Sequence, residues 1–183
     1  EGCDKLASEL IKLEPKLDIL VNNAGAAWGA EFDEFPESGW DKVMDLNVKS
    51  LFFLTKALAK PLRAAASSER PAKVINIASI DGLRGGNPNV FYSASKGAVV
   101  NMTRSRATHH GPEGIRVNGL RPGLIDTDIQ QDTGLPDRIA RFGPTVPLGR
   151  AGTPDEVAEA VLWLMSDKAR YVAATVFNVS GGR

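Results

Sequence analysis

Four short, nearly continuous apolar segments constrain the fold of this chain more than any other feature of its sequence. Segments of this kind are typical of strands that are buried on both faces, as in a parallel sheet. Asparagine, glycine or proline residues, which favour turns, follow three of the four segments. We therefore predict four parallel strands, at residues 17–21, 73–78, 115–120 and 175–179.

Helical patterns fill the intervals between the predicted strands. Pro15 ends the first pattern, and Pro61 is expected to interrupt the far end of the second, because proline cannot donate a backbone hydrogen bond. The last pattern opens with a capping box, in which Thr153 is the cap and Glu156 lies three positions later. Strands alternating with helices predict right-handed crossovers and an α/β fold. The helical patterns cover residues 4–13, 38–66, 91–109 and 153–166.

Composition and charge exclude several classes of protein. Apolar residues make up 43% of the 183 positions and charged residues 24%, as in an ordinary globular domain. Lys plus Arg and Asp plus Glu number 22 each, so the basic excess of a nucleic-acid-binding protein is missing. No apolar run approaches the ~18 residues that a membrane-spanning helix needs.

Cysteine and histidine are too scarce to predict a disulfide or a metal site. The single cysteine, Cys3, permits no internal disulfide, which favours a reducing compartment and a cytoplasmic location. The two histidines, His109 and His110, are adjacent and lie far from Cys3 in the sequence, so no metal-ligand spacing is seen.

Tyr92 and Lys96 form the first candidate catalytic pair. They lie four positions apart on a predicted helix and therefore share one face. A partly desolvated ammonium favours the phenolate, and proton transfer near neutral pH needs a tyrosine pKa well below about 10. Ser79 ends the second strand, where parallel sheets bind ligands, and its hydroxyl could bond the substrate oxygen that Tyr92 protonates. Without that context, the pair could equally be a surface tyrosine beside a solvated lysine.

Further polar residues lie at strand ends or inside a helical pattern. The amide of Asn22 could hydrogen-bond backbone at the end of the first strand, and Gly25 would let a flat ligand approach closely. Asn47 lies within a helical pattern, where asparagine marks a local bend or a solvent-facing position, and it could bind a water near Lys96. Thr127, after the third strand, could hold a carboxamide.

Together these motifs resemble the short-chain dehydrogenase/reductase family, and the likeness extends over the whole chain. Within the family, the chain is most similar to 3-oxoacyl-carrier-protein reductases, while its later part also resembles bacterial sugar 1-dehydrogenases. The resemblance implies a doubly wound, parallel-sheet Rossmann-type domain, of which residues 1–183 would be a single, C-terminal part. The matching motifs are Asn22-Asn23-Ala24-Gly25, Asn47, Ser79, Tyr92-Ser93-Ala94-Ser95-Lys96, Ile115-Arg116-Val117-Asn118 and Pro122-Gly123.

The resemblance also implies a role for each candidate residue. Tyr92 would be the general acid in the reductive direction, and Lys96 would lower its pKa and hold the nicotinamide ribose. Ser79 would polarise the carbonyl, and Asn47 would support a proton-relay water. The residues implied in binding NADP(H), or less favourably NAD(H), are Asn22, Ala24, Gly25, Tyr92, Lys96, Pro122, Gly123 and Thr127.

The sequence departs from the family pattern in several places, at both ends of the chain among them. The family's glycine-rich turn, which binds the pyrophosphate of the cofactor, has no counterpart in this chain, so about three N-terminal strands are expected to be absent. The segment from Gly82 to Gly86 is glycine-rich, but it follows Ser79 and does not occupy the position of that turn. Near the C-terminus, Val172-Ala173-Ala174 replaces a more usual Thr-Gly, which puts the packing of the last turn in doubt.

The expected reaction interconverts a carbonyl and a secondary alcohol, with a 3-oxoacyl or related ketone as substrate. Two alternatives stay open, a sugar 1-dehydrogenase of the same family and a truncated, non-catalytic fragment. The resemblance implies a homodimer or homotetramer, with neither a nucleic acid nor a membrane as partner. Residues 124–147, rich in aspartate, glycine and proline, are expected to form an irregular, mobile cover over the substrate.

Overall fold

The four predicted strands form one parallel sheet. A computed structural model describes residues 2–85, 90–133 and 137–183. In this part of the chain the strands lie side by side in sequence order, and all three pairings are parallel. Val74, for example, pairs with Leu20 on one side and with Val117 on the other. The strands are β1 (Ile19–Asn22), β2 (Ala72–Ile77), β3 (Ile115–Pro122) and β4 (Val176–Val179).

Helices follow the strands in the predicted alternation. The capping box of the last long helix is present: the Thr153 side chain accepts a hydrogen bond from the Glu156 amide, and the Glu156 carboxylate accepts one from the Thr153 amide. The helices are α1 (Gly2–Leu13), α2 (Glu37–Met44), α3 (Ser50–Ala57), α4 (Ala59–Ala65), α5 (Asp81–Arg84), α6 (Val90–His110), α7 (Arg138–Phe142) and α8 (Pro154–Met165).

The long helical pattern at 38–66 folds into several pieces. The predicted interruption occurs, but at Leu58, three residues before Pro61. The missing N–H of Pro61 leaves the preceding turn without one of its hydrogen bonds, which accounts for the early break. A second irregularity, the π-helical segment Asp45–Lys49, separates α2 from α3. This wider turn contains Asn47.

Both faces of β2 and β3 carry apolar core. On one face, Val74 and Val117 pack with Leu62 of α4. On the other, Ile75 packs with Leu120 and with Leu164 of α8. The two central strands are therefore buried as predicted, and their carboxyl ends meet at one edge of the sheet.

One strand is exposed at the edge of the sheet, and one expectation about the elements was wrong. The strand β1 is not buried on both faces, since Val21 is 39% exposed, and its strand neighbour in the described part of the chain is β2 alone. Nor is the stretch 124–147 irregular throughout. It contains α7 and two 3-10 segments, Asp128–Thr133 and Gly143–Thr145, in addition to residues 134–136, which lie outside the described part. None of the helices in the described part of the chain is long and apolar enough to cross a membrane.

Candidate active site

Ser79 and Tyr92 meet at the carboxyl end of β2. Ser79 follows the strand by two residues, and its hydroxyl accepts a hydrogen bond from the Asp81 amide at 3.2 Å. The Ser79 side chain also hydrogen-bonds the side chain of Tyr92, on the first turn of α6. The two hydroxyls that the sequence pattern associates are therefore in direct contact, and a single substrate oxygen can bond to both.

Lys96 is buried beside Tyr92, with 4% of its surface exposed. Its Nζ donates a hydrogen bond to the Ile77 carbonyl at 3.0 Å and lies 5.7 Å from the centroid of the Tyr92 ring. Burial lowers the pKa of Lys96 to about 8, because the ammonium loses its hydration. The side chain remains mostly protonated at pH 7, and it is held by the end of β2 as well as by its own helix.

The pKa of Tyr92 is raised, which corrects the expectation that it would be lowered. Desolvation of the phenolate is the largest cause, and the negative charge of Asp81 acts in the same direction. The hydrogen bond from Ser79 and the positive charge of Arg138 act against it. The phenolate gains too little from these two groups to offset the loss of hydration, so Tyr92 is a protonated hydroxyl in this structure.

Asn47 is buried, not solvent-facing, and it links three parts of the site. Its Oδ1 accepts a hydrogen bond from the Ala26 amide at 2.8 Å, and its Nδ2 donates to the Ala26 carbonyl at 3.0 Å. The same Nδ2 donates to Ser95 Oγ at 3.0 Å, and Ser95 in turn donates to the Tyr92 carbonyl at 2.7 Å. The prediction of a local bend at Asn47 is confirmed by the π-helical segment, which turns the amide inward.

Gly25 lies where Asn47 and Lys96 converge. A Cβ atom placed on Gly25 would be 3.3 Å from both Asn47 Oδ1 and Lys96 Nζ. The glycine therefore lets the chain after β1 pass close to these two polar groups. A side chain here would fill the space between the loop and the buried ammonium.

Asn22 is part of a buried polar network, not a partner of strand-end backbone. Its Nδ2 donates to Asn76 Oδ1 at 2.8 Å and to Thr55 Oγ1 at 3.1 Å. Asn76 Nδ2 then donates to Thr103 Oγ1 at 3.0 Å. All four residues are buried, so the network ties β1 and β2 to α3 and α6. The neighbouring Ala24 is exposed.

The predicted nicotinamide-side residues follow β3. Pro122 ends the strand, and the Gly123 amide donates to the Val179 carbonyl at 2.9 Å. A Cβ on Gly123 would lie 2.8 Å from Ser180 Cα, so glycine is needed for the close approach of the two chain segments. Thr127 is exposed, and its carbonyl accepts a hydrogen bond from the Gln130 amide.

Sequence reasoning missed several residues of this site. Ser95 is completely buried and connects Asn47 to Tyr92, and its spacing of three from Tyr92 on one helix is the signal that could have found it. Asn76 is a polar residue in the middle of an apolar strand, which is also a visible signal. Arg138 acts on Tyr92 from another part of the chain, and the sequence contains no local sign of it.

His109, His110 and Glu113 form a cluster that the sequence reasoning did not expect. Their possible ligand atoms lie within 4.8 Å of one another. However, Glu113 Oε2 accepts from His110 Nδ1 at 2.7 Å and from Arg63 Nε at 2.9 Å, while Arg106 lies 3.3 Å from His110 Nε2. Two guanidinium groups beside the cluster disfavour a cation, and the contacts are those of an ion-pair network.

A cavity of about 560 Å³ lies beside the carboxyl ends of β3 and β4. Leu124 and Ile125 line one side, and Arg150 and Glu156 contribute an ion pair to the wall. None of the described residues that line it belongs to the group around Tyr92. The group around Tyr92 therefore does not line this cavity, whereas Ser180, which packs against Gly123, does.

Comparisons with known proteins agree on one family. The family described as Enoyl-(Acyl carrier protein) reductase matches residues 1–183. A rhamnolipids biosynthesis 3-oxoacyl-[acyl-carrier-protein] reductase of Pseudomonas aeruginosa is 38% identical over 183 residues, covering 99% of this chain and 72% of that protein. A glucose and ribitol dehydrogenase homolog of Oryza sativa is 34% identical over 186 aligned residues, covering 100% of this chain and 62% of that protein.

A solved structure gives the same result at the level of the fold. The Pseudomonas aeruginosa RhlG/NADP active-site complex superimposes with a TM-score of 0.92 at 38% identity. The match covers 99% of this chain and 72% of the solved one. The chain thus spans between about three fifths and three quarters of the length of these proteins.

Proposed function

Since the chain belongs to the short-chain dehydrogenase/reductase family and is an enzyme of that type, we propose that it interconverts a ketone and a secondary alcohol with a nicotinamide cofactor. The contact between Ser79 and Tyr92 beside the buried ammonium of Lys96 is the observation that carries this proposal. We propose in addition that residues 1–183 act as part of one domain, and that the protein is a cytoplasmic homo-oligomer.

Tyr92 is proposed to donate the proton to the substrate oxygen. Its raised pKa keeps the hydroxyl protonated at neutral pH, which suits a general acid in the reductive direction. Ser79 would bond the same oxygen and polarise the carbonyl, since its hydroxyl already contacts that of Tyr92. As the ketone becomes an alkoxide, the two hydroxyls offer hydrogen bonds that strengthen with the developing charge.

Lys96 and Asn47 are proposed to support this proton transfer. Lys96 has a pKa of about 8 and places a positive charge beside the tyrosine at pH 7. Asn47 Oδ1 and Lys96 Nζ both face Gly25, which brings an amide oxygen and an ammonium to one point. Asn47 also holds Ser95, and through it the carbonyl of Tyr92. A relay water at this point is part of the proposal.

The donor groups of the site fit a nicotinamide cofactor. The bound cofactor would supply or accept the hydride. The Lys96 ammonium and the Tyr92 hydroxyl offer hydrogen bonds to ribose oxygens, and Gly25 leaves space that a Cβ would fill. NADP(H) is the preferred form, a preference supported by the NADP in the Pseudomonas aeruginosa complex. The residues proposed to hold the cofactor are Asn22, Ala24, Gly25, Tyr92, Lys96, Pro122, Gly123 and Thr127.

The proposed substrate is a 3-oxoacyl compound or a related ketone. The 38% identity to the rhamnolipids biosynthesis reductase supports this class. Oxidation of a sugar at its first carbon is the second candidate, supported by the 34% identity to the glucose and ribitol dehydrogenase homolog.

The test measures oxidation of NADPH and NADH by absorbance with a 3-oxoacyl thioester, and reduction of NADP⁺ and NAD⁺ with glucose. Tyr92→Phe should lower turnover by about 10²- to 10⁴-fold, because it removes a general acid, while cofactor affinity changes little. Tyr171→Phe is the matched control, since Tyr171 is fully exposed and is the other tyrosine of the chain. Turnover of Tyr92→Phe within about threefold of the parent would contradict the assignment.

A further inference from the structure

Ser95 is a completely buried hydroxyl on α6, the helix that carries Tyr92 and Lys96. It lies three positions after Tyr92, so the two residues share one face of the helix. Alanine forms helices more readily than serine, so the helix by itself does not require a serine here. The hydrogen bonds of the Ser95 hydroxyl are therefore what this position contributes to the molecule.

The one proton of the Ser95 hydroxyl is already in use. Ser95 Oγ donates it to the Tyr92 carbonyl at 2.7 Å. A hydroxyl has one donor proton and two acceptor lone pairs, so towards Asn47 this oxygen acts only as an acceptor. Asn47 Nδ2 donates to it at 3.0 Å. Ser95 therefore fits the NH₂ end of the Asn47 amide and would leave the oxygen end without a donor.

The Asn47 amide needs Ser95 to complete its hydrogen bonds. Its Oδ1 accepts from the Ala26 amide at 2.8 Å, and one N–H of Nδ2 donates to the Ala26 carbonyl at 3.0 Å. The other N–H has Ser95 Oγ as its acceptor. Asn47 is 1% exposed, and a buried N–H without an acceptor is unfavourable. Without the Ser95 hydroxyl, the amide would therefore turn away from this geometry.

The amide oxygen that this arrangement fixes lies on the side of Lys96. Asn47 Oδ1 and Lys96 Nζ are both 3.3 Å from the position that a Cβ of Gly25 would take. We propose that Ser95 is a positioning residue of the reaction, which holds the Asn47 amide so that its oxygen faces the Lys96 ammonium. This inference rests on the proposed function, and it adds to the site a residue that acts through Asn47.

A second hydroxyl of α6 shows the same pattern in a different setting. Thr103 Oγ1 donates to the Val99 carbonyl at 2.7 Å and accepts from Asn76 Nδ2 at 3.0 Å. The Asn76 oxygen accepts a further hydrogen bond from Asn22 at 2.8 Å, so that amide joins buried polar groups to one another. The amide that Ser95 fixes differs, because its oxygen lies on the side of a buried ammonium.

Steady-state kinetics with NADPH and a 3-oxoacyl thioester test the proposal. Ser95→Ala should lower kcat by about 10-fold, because a misaligned amide supports proton transfer less well, while both KM values change by less than about twofold. Ser93→Ala is the matched control, since Ser93 lies two positions earlier and its buried Oγ has no hydrogen-bond partner among the described residues. It should leave kcat and both KM values unchanged.

A double-mutant cycle shows whether Ser95 acts through Asn47 or only through the Tyr92 carbonyl. A bond from serine to the carbonyl three positions earlier is a local contact, which by itself affects the helix alone. In an Asn47→Ala background, Ser95→Ala should lower kcat by less than about twofold, because no amide remains to be held. The same loss of kcat in both backgrounds would overturn the proposal.

The side-chain amide of Asn47 gives a readout that needs no turnover. Its pair of N–H signals in a ¹H–¹⁵N NMR spectrum is identified by its loss in Asn47→Asp, which keeps the size of the side chain. Both N–H groups are buried and hydrogen-bonded, so they should exchange slowly with D₂O. Exchange should be at least about 10-fold faster in Ser95→Ala, and unchanged in Ser93→Ala. Parental exchange in Ser95→Ala would show that the amide is held without Ser95.

The two measurements separate this inference from the proposed function. If no ketone is reduced yet the Asn47 amide exchanges faster in Ser95→Ala, the proposed reaction fails and the fixing of the amide by Ser95 stands. If ketones are reduced and Ser95→Ala leaves kcat at the parental value, the reaction stands and the positioning role fails.

Discussion

Burial shifts the pKa values of Tyr92 and Lys96 in opposite directions for the same physical reason. It penalises the charged form of each group, so the phenol pKa is raised and the ammonium pKa is lowered to about 8. A lysine four positions from a tyrosine is thus insufficient to produce a phenolate. The environment favours a neutral hydroxyl that gives up a proton when an alkoxide forms beside it, which is what a reductase needs.

Ala174 is a single residue whose backbone is strained. Its φ is +60°, the one positive φ of a non-glycine residue in the described chain, and its amide donates to the Val117 carbonyl at 2.9 Å. Left-handed backbone costs an L-residue roughly 1–2 kcal/mol. Ala174→Gly should therefore raise the free energy of unfolding by about 0.5–1 kcal/mol, after the extra entropy of glycine in the unfolded chain is deducted.

Chemical denaturation measures this effect. Ala173→Gly is the matched control, because Ala173 is also exposed but has no positive φ. That variant should lose about 0.5–1 kcal/mol, since it gains the entropy of glycine without relieving strain. A destabilised Ala174→Gly would show that the left-handed turn is not maintained in solution.

The helices α5 and α6 touch backbone to backbone. A Cβ on Gly82 would lie 2.5 Å from the carbonyl carbon of Lys96 and 2.8 Å from the amide nitrogen of Gly97. The absence of a side chain at Gly82 lets the turn after Ser79 lie directly against the helix that carries Lys96. The distance between two elements of the site is therefore set by one glycine, and not by the residues that perform the chemistry.

Gly82→Ala should separate these two helices. The free energy of unfolding should fall by about 1–3 kcal/mol, as in other overpacked sites. Turnover should fall as well, because Ser79 and Tyr92 would no longer meet. Denaturation and the ketone-reduction assay, run on the same preparation, measure the two effects.

Gly97→Ala is the control from the facing helix. Its Cβ would lie 3.4 Å from the Gly82 carbonyl oxygen, which is ordinary contact, and alanine is favoured over glycine within a helix. This variant should be neutral or stabilised. If Gly82→Ala behaves in the same way, the close contact between α5 and α6 is not essential to the site.

An ion-pair network connects distant parts of the molecule. Arg63 on α4 and His110 at the end of α6 both bond Glu113, in the turn that leads into β3. The hydrogen bonds from Arg63 and His110 lower the pKa of Glu113 from 4.5 to about 2. The whole fold therefore gains stability from the ionised carboxylate above about pH 4.5, and loses it as the pH falls towards 2.

Glu113→Gln should weaken this pH dependence. At pH 7 the variant should be less stable by about 0.5–1 kcal/mol, because the carboxylate is partly exposed and its pairs are screened by water. As the pH falls from 4.5 to 2, its stability should decline less than that of the parent. Thermal unfolding over this pH range measures both effects, with Glu159→Gln, exposed on α8, as the control. Parallel curves for parent and Glu113→Gln would contradict the pKa of Glu113.

Much of the fold could be predicted because the strands and helices depend on local pattern. The four strands lie within two residues of their predicted positions, and the capping box at Thr153 is as expected. The exposure of Val21 in β1 follows from the lack of a second strand neighbour in the described part of the chain, which agrees with the expected absence of the N-terminal strands. The break at Leu58 was displaced from Pro61 because the lost hydrogen bond lies in the preceding turn.

The type of each element and the residues at the strand ends follow from the order of apolar and turn-forming residues, since that order acts over a few positions. The contact between Ser79 and Tyr92 and the inward turn of Asn47 depend on how separate elements pack. Hydration and charge act through space, so the pKa of Tyr92 is decided by groups from α5, α6 and α7 together, and no stretch of sequence contains them all.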